Sequence, residues 1–62
     1  MEFEKYILAI ITTKPEKVSG GGAPVFISKT DEEQDRIATT LARVMGGVVH
    51  DLENGVYFLV RH

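Results

Sequence analysis

Two stretches of this chain carry residue types that could do chemistry. The first is Ser19-Gly20-Gly21-Gly22, flanked by Lys14 and Lys17. Glycine amides that no side chain screens, with ammonium groups beside them, are the parts from which a phosphate cradle is made. The second is His50-Asp51, an imidazole next to a carboxylate. Chain order argues against the usual use of the first. A phosphate loop runs strand, glycine loop, helix, so that the helix N-terminus meets the anion. Here the glycines precede an extended segment, PVFISK, and the helical segment after it opens on Asp31, Glu32 and Glu33, which repel an anion. Lys14, Lys17, Ser19, Gly20, Gly21 and Gly22 therefore stand as a ligand-binding candidate on composition alone. For the second stretch, neighbours on a strand point to opposite faces, so His50 and Asp51 cannot form a dyad. His50 is expected on the face toward the helix, opposite Phe58, at the margin of the core. Two histidines and no cysteine give no zinc-site spacing. No catalytic residue, metal site or cofactor is expected.

The element that has to position these stretches is residues 30–47, TDEEQDRIATTLARVMGG. Thr30 and Glu33 have capping-box spacing, in which the hydroxyl accepts from an early backbone N–H and the carboxylate reaches back to the cap's own N–H. Gly46 and Gly47 can close the helix in the left-handed conformation, with Arg43 near the last carbonyls. Ile37, Leu41 and Val44 recur at i, i+4 and i+7, with Ala38 and Met45 beside them, and are expected to form the buried face. Glu32, Arg36, Thr40 and Arg43 form the solvated side.

Strands are expected on both sides of this helix. Residues 3–13, FEKYILAIITT, are β-branched and aromatic without alternation, which reads as a strand buried on both faces. Residues 14–24 form a flexible glycine-rich loop, long for a hairpin connection, where about 2–5 residues are usual. Residues 24–29 give a short second strand. Residues 48–62 read as a β-hairpin. A turn at Glu53-Asn54, with Gly55 as a left-handed bulge residue, sets Leu52 opposite Val56 and separates the faces. Val48, His50, Leu52, Val56, Phe58 and Val60 are then assigned to the helix side.

These elements make an α+β fold, ββαββ, in one domain over residues 1–62. The expected sheet is four-stranded and mainly antiparallel, in the order 2-1-3-4, with one helix packed on one face. The face without the helix is expected to show Tyr6, Leu8, Ile10, Val49, Tyr57, Leu59 and Arg61. A contiguous apolar patch with tyrosine and arginine on it marks an interface.

Composition supports that reading. The chain has 62 residues, 44% of them hydrophobic and 26% charged, and a net charge of −2. That balance is globular, with no basic field for nucleic acid or anionic lipid. The apolar run at residues 6–11 is too short to span a bilayer, and with no signal peptide the expected location is cytoplasmic. A chain this short buries only roughly 60% of the surface its unfolded form exposes, so association is the natural source of further stability. The function expected is a small homo-oligomeric binding or regulatory module, a homodimer or homotetramer open to a further protein partner. It would act through the sheet face that the helix leaves bare. The alternative is a small ligand-binding or enzymatic subunit with an inter-protomer site near the glycine loop.

Overall fold

The computed structural model describes residues 6–18 and 22–61. Within them the helix forms where its end signals lie. Helix α1 spans Asp31–Met45. The Thr30 hydroxyl accepts from the Glu33 N–H at 3.1 Å. The Glu33 carboxylate accepts from the Lys29 N–H at 3.0 Å, one residue before the expected partner. Gly46 closes the helix at φ 76, its N–H donating to the Ala42 carbonyl.

The buried face of α1 differs from expectation. Gln34 and Ala38 are buried, whereas Val44 is 77% exposed. The stripe is rotated because Gln34, a polar residue, takes a core position. Its amide nitrogen donates to the Ile11 carbonyl at 2.9 Å and to the Gly55 carbonyl at 3.0 Å. With both donors satisfied, burial of the side chain carries no desolvation penalty large enough to expel it.

Four strands form one sheet: β1 (Ile7–Thr12), β2 (Val25–Ile27), β3 (Val48–Asp51) and β4 (Val56–Val60). Their order is β2-β1-β4-β3. The α+β fold with one helix on a four-stranded sheet is as expected, and β1 is internal. Two details are corrected. First, β1 and β2 pair in parallel, so the sheet is mixed rather than mainly antiparallel. Parallel neighbours cannot be joined by a tight turn, and the link between β1 and β2 must return along the whole strand. This is why residues 13–24 are too many for a hairpin. Second, β4 and not β3 lies beside β1. Strand β4, VYFLV, carries no charge and takes the internal place, while β3, VVHD, puts His50 and Asp51 at the edge.

The hairpin has the expected register: the Leu52 N–H donates to the Val56 carbonyl at 3.0 Å, and Asp51 lies opposite Tyr57. Its loop conformation is different. Glu53 sits at φ 60 and Gly55 at φ 91, so Glu53 and Asn54 do not form a type I turn. Instead Asp51 Oδ1 accepts the Glu53 N–H at 2.7 Å, and Asn54 Oδ1 accepts the Val56 N–H at 3.2 Å.

The hairpin also presents its faces the other way round. Ala9, Ile11, Ala38 and Leu59 form the core beneath α1, with Leu8, Ile37, Leu41, Val49 and Tyr57 packed against it. A bulge between Ile7 and Ala9 turns Leu8 to the helix side as well. The other face carries Ile10 and Thr12 of β1, Val25 and Ile27 of β2, Val56, Phe58 and Val60 of β4, and Val48 and His50 of β3.

Candidate interaction site

One face of the sheet lies away from α1, and its described residues are largely apolar. Val25 is 38% exposed, Ile27 62%, Val48 47% and Leu52 46%. Phe58 and Val60 lie half-buried between them. The β1–β2 crossover shields part of this face. Lys17 and Val18 line a hollow of about 250 Å³ with Ile10, Leu52, Asn54, Val56 and Phe58. Under that cover Ile10 is 9% and Val56 3% exposed. What stays exposed lies toward the two edges, Val25 and Ile27 on β2 and Val48 and Leu52 on the hairpin, and exposed apolar surface of this kind on a small protein marks a contact with another chain.

The residues singled out as an interface are divided between the two sides. Leu8, Val49, Tyr57 and Leu59 pack under α1, and Leu59 is fully buried. Ile10 is on the open face but nearly covered. Tyr6 is 53% exposed, and Arg61, also exposed, is tied to it by its backbone N–H to the Tyr6 carbonyl at 2.7 Å. His50 lies opposite Phe58 as expected, but on the face away from the helix. Of the ligand candidates, Ser19, Gly20 and Gly21 lie outside the described residues, as do residues 3–5 of the first expected strand and His62. Lys14 and Lys17 bracket a short 3₁₀ turn at Pro15–Lys17, and Gly22 sits at φ 96.

A second cluster, at the end of the sheet where α1 begins, was not legible as such in the sequence. The Gly55 carbonyl accepts three hydrogen bonds: from the Thr13 N–H at 3.0 Å, the Thr12 hydroxyl at 2.9 Å and the Gln34 amide at 3.0 Å. Beside it a hollow of about 190 Å³ is lined by Asp31, Gln34, Asp51, Glu53, Gly55 and Tyr57. The Tyr57 hydroxyl donates to Asp35 of α1 at 2.9 Å. That hydrogen bond, with burial and the charge of Asp35 behind it, pushes the phenol up to about 12. Tyr57 thus stays neutral and locks β4 to the helix instead of trading protons. The signal for Gln34 was its spacing to Ala38 and Met45, which its polarity concealed.

The geometry therefore offers an apolar surface on the side of the sheet away from α1. The model of the family described as the capping complex subunit for YIEGIA matches residues 4–62. The chain belongs to that family. It is also 38% identical over 58 residues to the uncharacterized protein YpzH of Bacillus subtilis (strain 168), covering 94% of this chain and 89% of the relative. No solved structure matches it. Members of the family are described as subunits of a complex, which agrees with the expectation of a small protein-interaction subunit. Among the described residues, no helix is long and apolar enough to cross a membrane.

Proposed function

We propose that the protein is the small subunit of a capping complex and that it seats its open sheet face on a larger protein of the YIEGIA kind. The observation that supports this reading is the exposed apolar set Val25, Ile27, Val48 and Leu52 on the face away from α1. The family's description supplies the kind of partner. The same face could pair with a second copy, but a capping subunit needs a surface for what it caps, and this face offers an apolar one. The absence of cysteine suits a reducing compartment, and the cytoplasm is the location proposed.

The test is co-purification of the tagged chain with the YIEGIA protein of the same genome after co-expression. Ile27→Asp places a charge on an exposed edge position and should abolish co-purification while circular dichroism stays unchanged. Thr39→Asp, on the exposed outer side of α1, should leave it intact. Retention with Ile27→Asp and loss with Thr39→Asp would move the contact to the helix and overturn the reading.

A further inference from the structure

We propose that the larger protein adds a strand of its own to this sheet, an extended uncharged segment that pairs with the outer edge of β2. The proposal rests on the reading of the open face as the seat of that protein, and it states the form in which the protein arrives.

The backbone of β2 specifies the occupant. The Ile10 N–H donates to the Pro24 carbonyl at 2.9 Å and the Ser28 N–H to the Thr12 carbonyl at 2.8 Å. Positions 24, 26 and 28 are thus turned to β1, and Val25 and Ile27 turn their N–H and C=O groups outward. Among the described residues, no strand lies beyond β2. The outward groups recur every second residue, about 6.6 Å apart, a spacing that another extended backbone matches and a compact solute does not. The row is bounded at both ends. The Lys29 N–H is taken by the Glu33 carboxylate at 3.0 Å, and Gly22 leaves the extended conformation at φ 96.

The side chains agree with the backbone. Edge strands are ordinarily kept from pairing by charge, and β3, at the other edge of the sheet, carries Asp51. Strand β2 has no such guard. Residues 22–28 are uncharged, and Val25, Phe26 and Ile27 are 38%, 37% and 62% exposed. Val25 and Ile27 continue the open face, while the register with Ile11 turns Phe26 to the helix side. An added strand would set apolar neighbours beside all three. A second copy is the poorer occupant. Two copies paired edge to edge share three residues of ladder each, and their open faces then lie side by side in one sheet without covering one another. Val48 and Leu52 would stay exposed, and a stable contact needs about 1,000 Å² or more, which so short a ladder does not supply. A larger chain that pairs at β2 and continues across the open face covers both residues.

Co-purification of the larger protein with variants of the full chain tests this. Ile27→Pro removes an N–H that β1 does not use and places a ring where the new strand would lie. It should lower the recovery of the larger protein by about tenfold or more, whereas Ile27→Ala, which shortens the side chain but keeps the N–H, should lower it by less. Val25→Pro repeats the test at the other outward position. Hydrogen exchange in the complex of the parent chain needs no variant: the Val25 and Ile27 amides should slow by about a hundredfold or more, and unchanged exchange at both overturns the proposal. So does a proline variant, folded by circular dichroism, that recovers as much of the larger protein as Ile27→Ala. If Val48→Asp then abolishes recovery, strand addition fails while the seat on the open face stands. A parent chain that recovers no larger protein overturns both. Sedimentation equilibrium of the chain alone checks the occupant: a dimer dispersed by Ile27→Pro means that a second copy takes the edge, and overturns the proposal.

Discussion

At the residue scale, Glu53 holds the left-handed conformation at φ 60, with its N–H fixed by the Asp51 carboxylate. An L-residue there costs roughly 1–2 kcal/mol. Glu53→Gly relieves that cost, and the added freedom of the unfolded chain returns about 0.4–1 kcal/mol of it. The variant should therefore melt a few degrees higher, as read by thermal denaturation. A lower melting temperature would mean that the Glu53 side chain contributes more than its strain costs. Tyr57 makes a prediction in pH. Its folded-state pKa, about 12 against an ordinary 10.0, is raised by the hydrogen bond to Asp35 and by burial. A raised value contributes stability that is complete below pH about 10 and is lost as pH rises through about 12. Ultraviolet titration of phenolate should show one tyrosine ionising near 12, and Asp35→Asn should bring it down toward 10. An unchanged titration in Asp35→Asn would remove Asp35 as the cause. Glu53 and Tyr57 also mark what the sequence could and could not convey. Gly55 fixed the pairing of Leu52 with Val56 because a bulge glycine is a local signal. The positive φ of Glu53 goes with the Asp51 carboxylate on its N–H, a contact that Asp51 and Glu53 do not announce by residue type, because an L-residue in that conformation is the exception.

At the scale of elements, the two glycines after α1 do different work. Gly46 is there for its conformation, at φ 76 with nothing within 4 Å of where a Cβ would stand. Gly47 is there for space: a Cβ would lie 2.8 Å from the Val60 carbonyl oxygen and 3.0 Å from Leu59 Cδ1. The backbone oxygen belongs to a sheet strand and cannot move away cheaply. Gly47→Ala should thus cost about 1–3 kcal/mol, the range for forced overpacking. Gly46→Ala should cost about 1 kcal/mol or more, from conformation alone. Urea denaturation would rank them, and equal stability of Gly47→Ala and the parent would show that the turn can shift. Helix ends were legible because caps are made by residues within four positions of each other. The side of the hairpin that faces α1 was not, because both of its alternating sets are rich in valine, leucine and aromatics. The choice was made by contacts distant in sequence, Tyr57 with Asp35 and Gln34 with Ile11. The parallel pairing of β1 with β2 did leave a trace in the length of the link at residues 13–24, whose meaning depends on knowing which strands are neighbours.

At the scale of the molecule, the two sides of the sheet are covered to different extents, and β2 is where both covers are thinnest. On one side α1 stops short of it, and on the other the crossover reaches Ile10 and Val56. In the described sheet β2 pairs with β1 alone, through bonds such as Ile10 N–H to the Pro24 carbonyl at 2.9 Å and Ser28 N–H to the Thr12 carbonyl at 2.8 Å. A parallel ladder turns alternate residues inward, so the N–H groups of Val25 and Ile27 face outward. Hydrogen exchange on the dilute chain should therefore be fastest at Val25 and Ile27, slower at Ser28, and slowest in β1 and β4, which open only with the whole fold. Seating the open face on the larger protein should slow exchange at Val25 and Ile27. If raising the concentration of the chain alone protects Val48 and Phe58, the copies meet through their open sheet faces. The capped protein would then have to displace one copy from another, and its binding would weaken as the concentration of this chain rises.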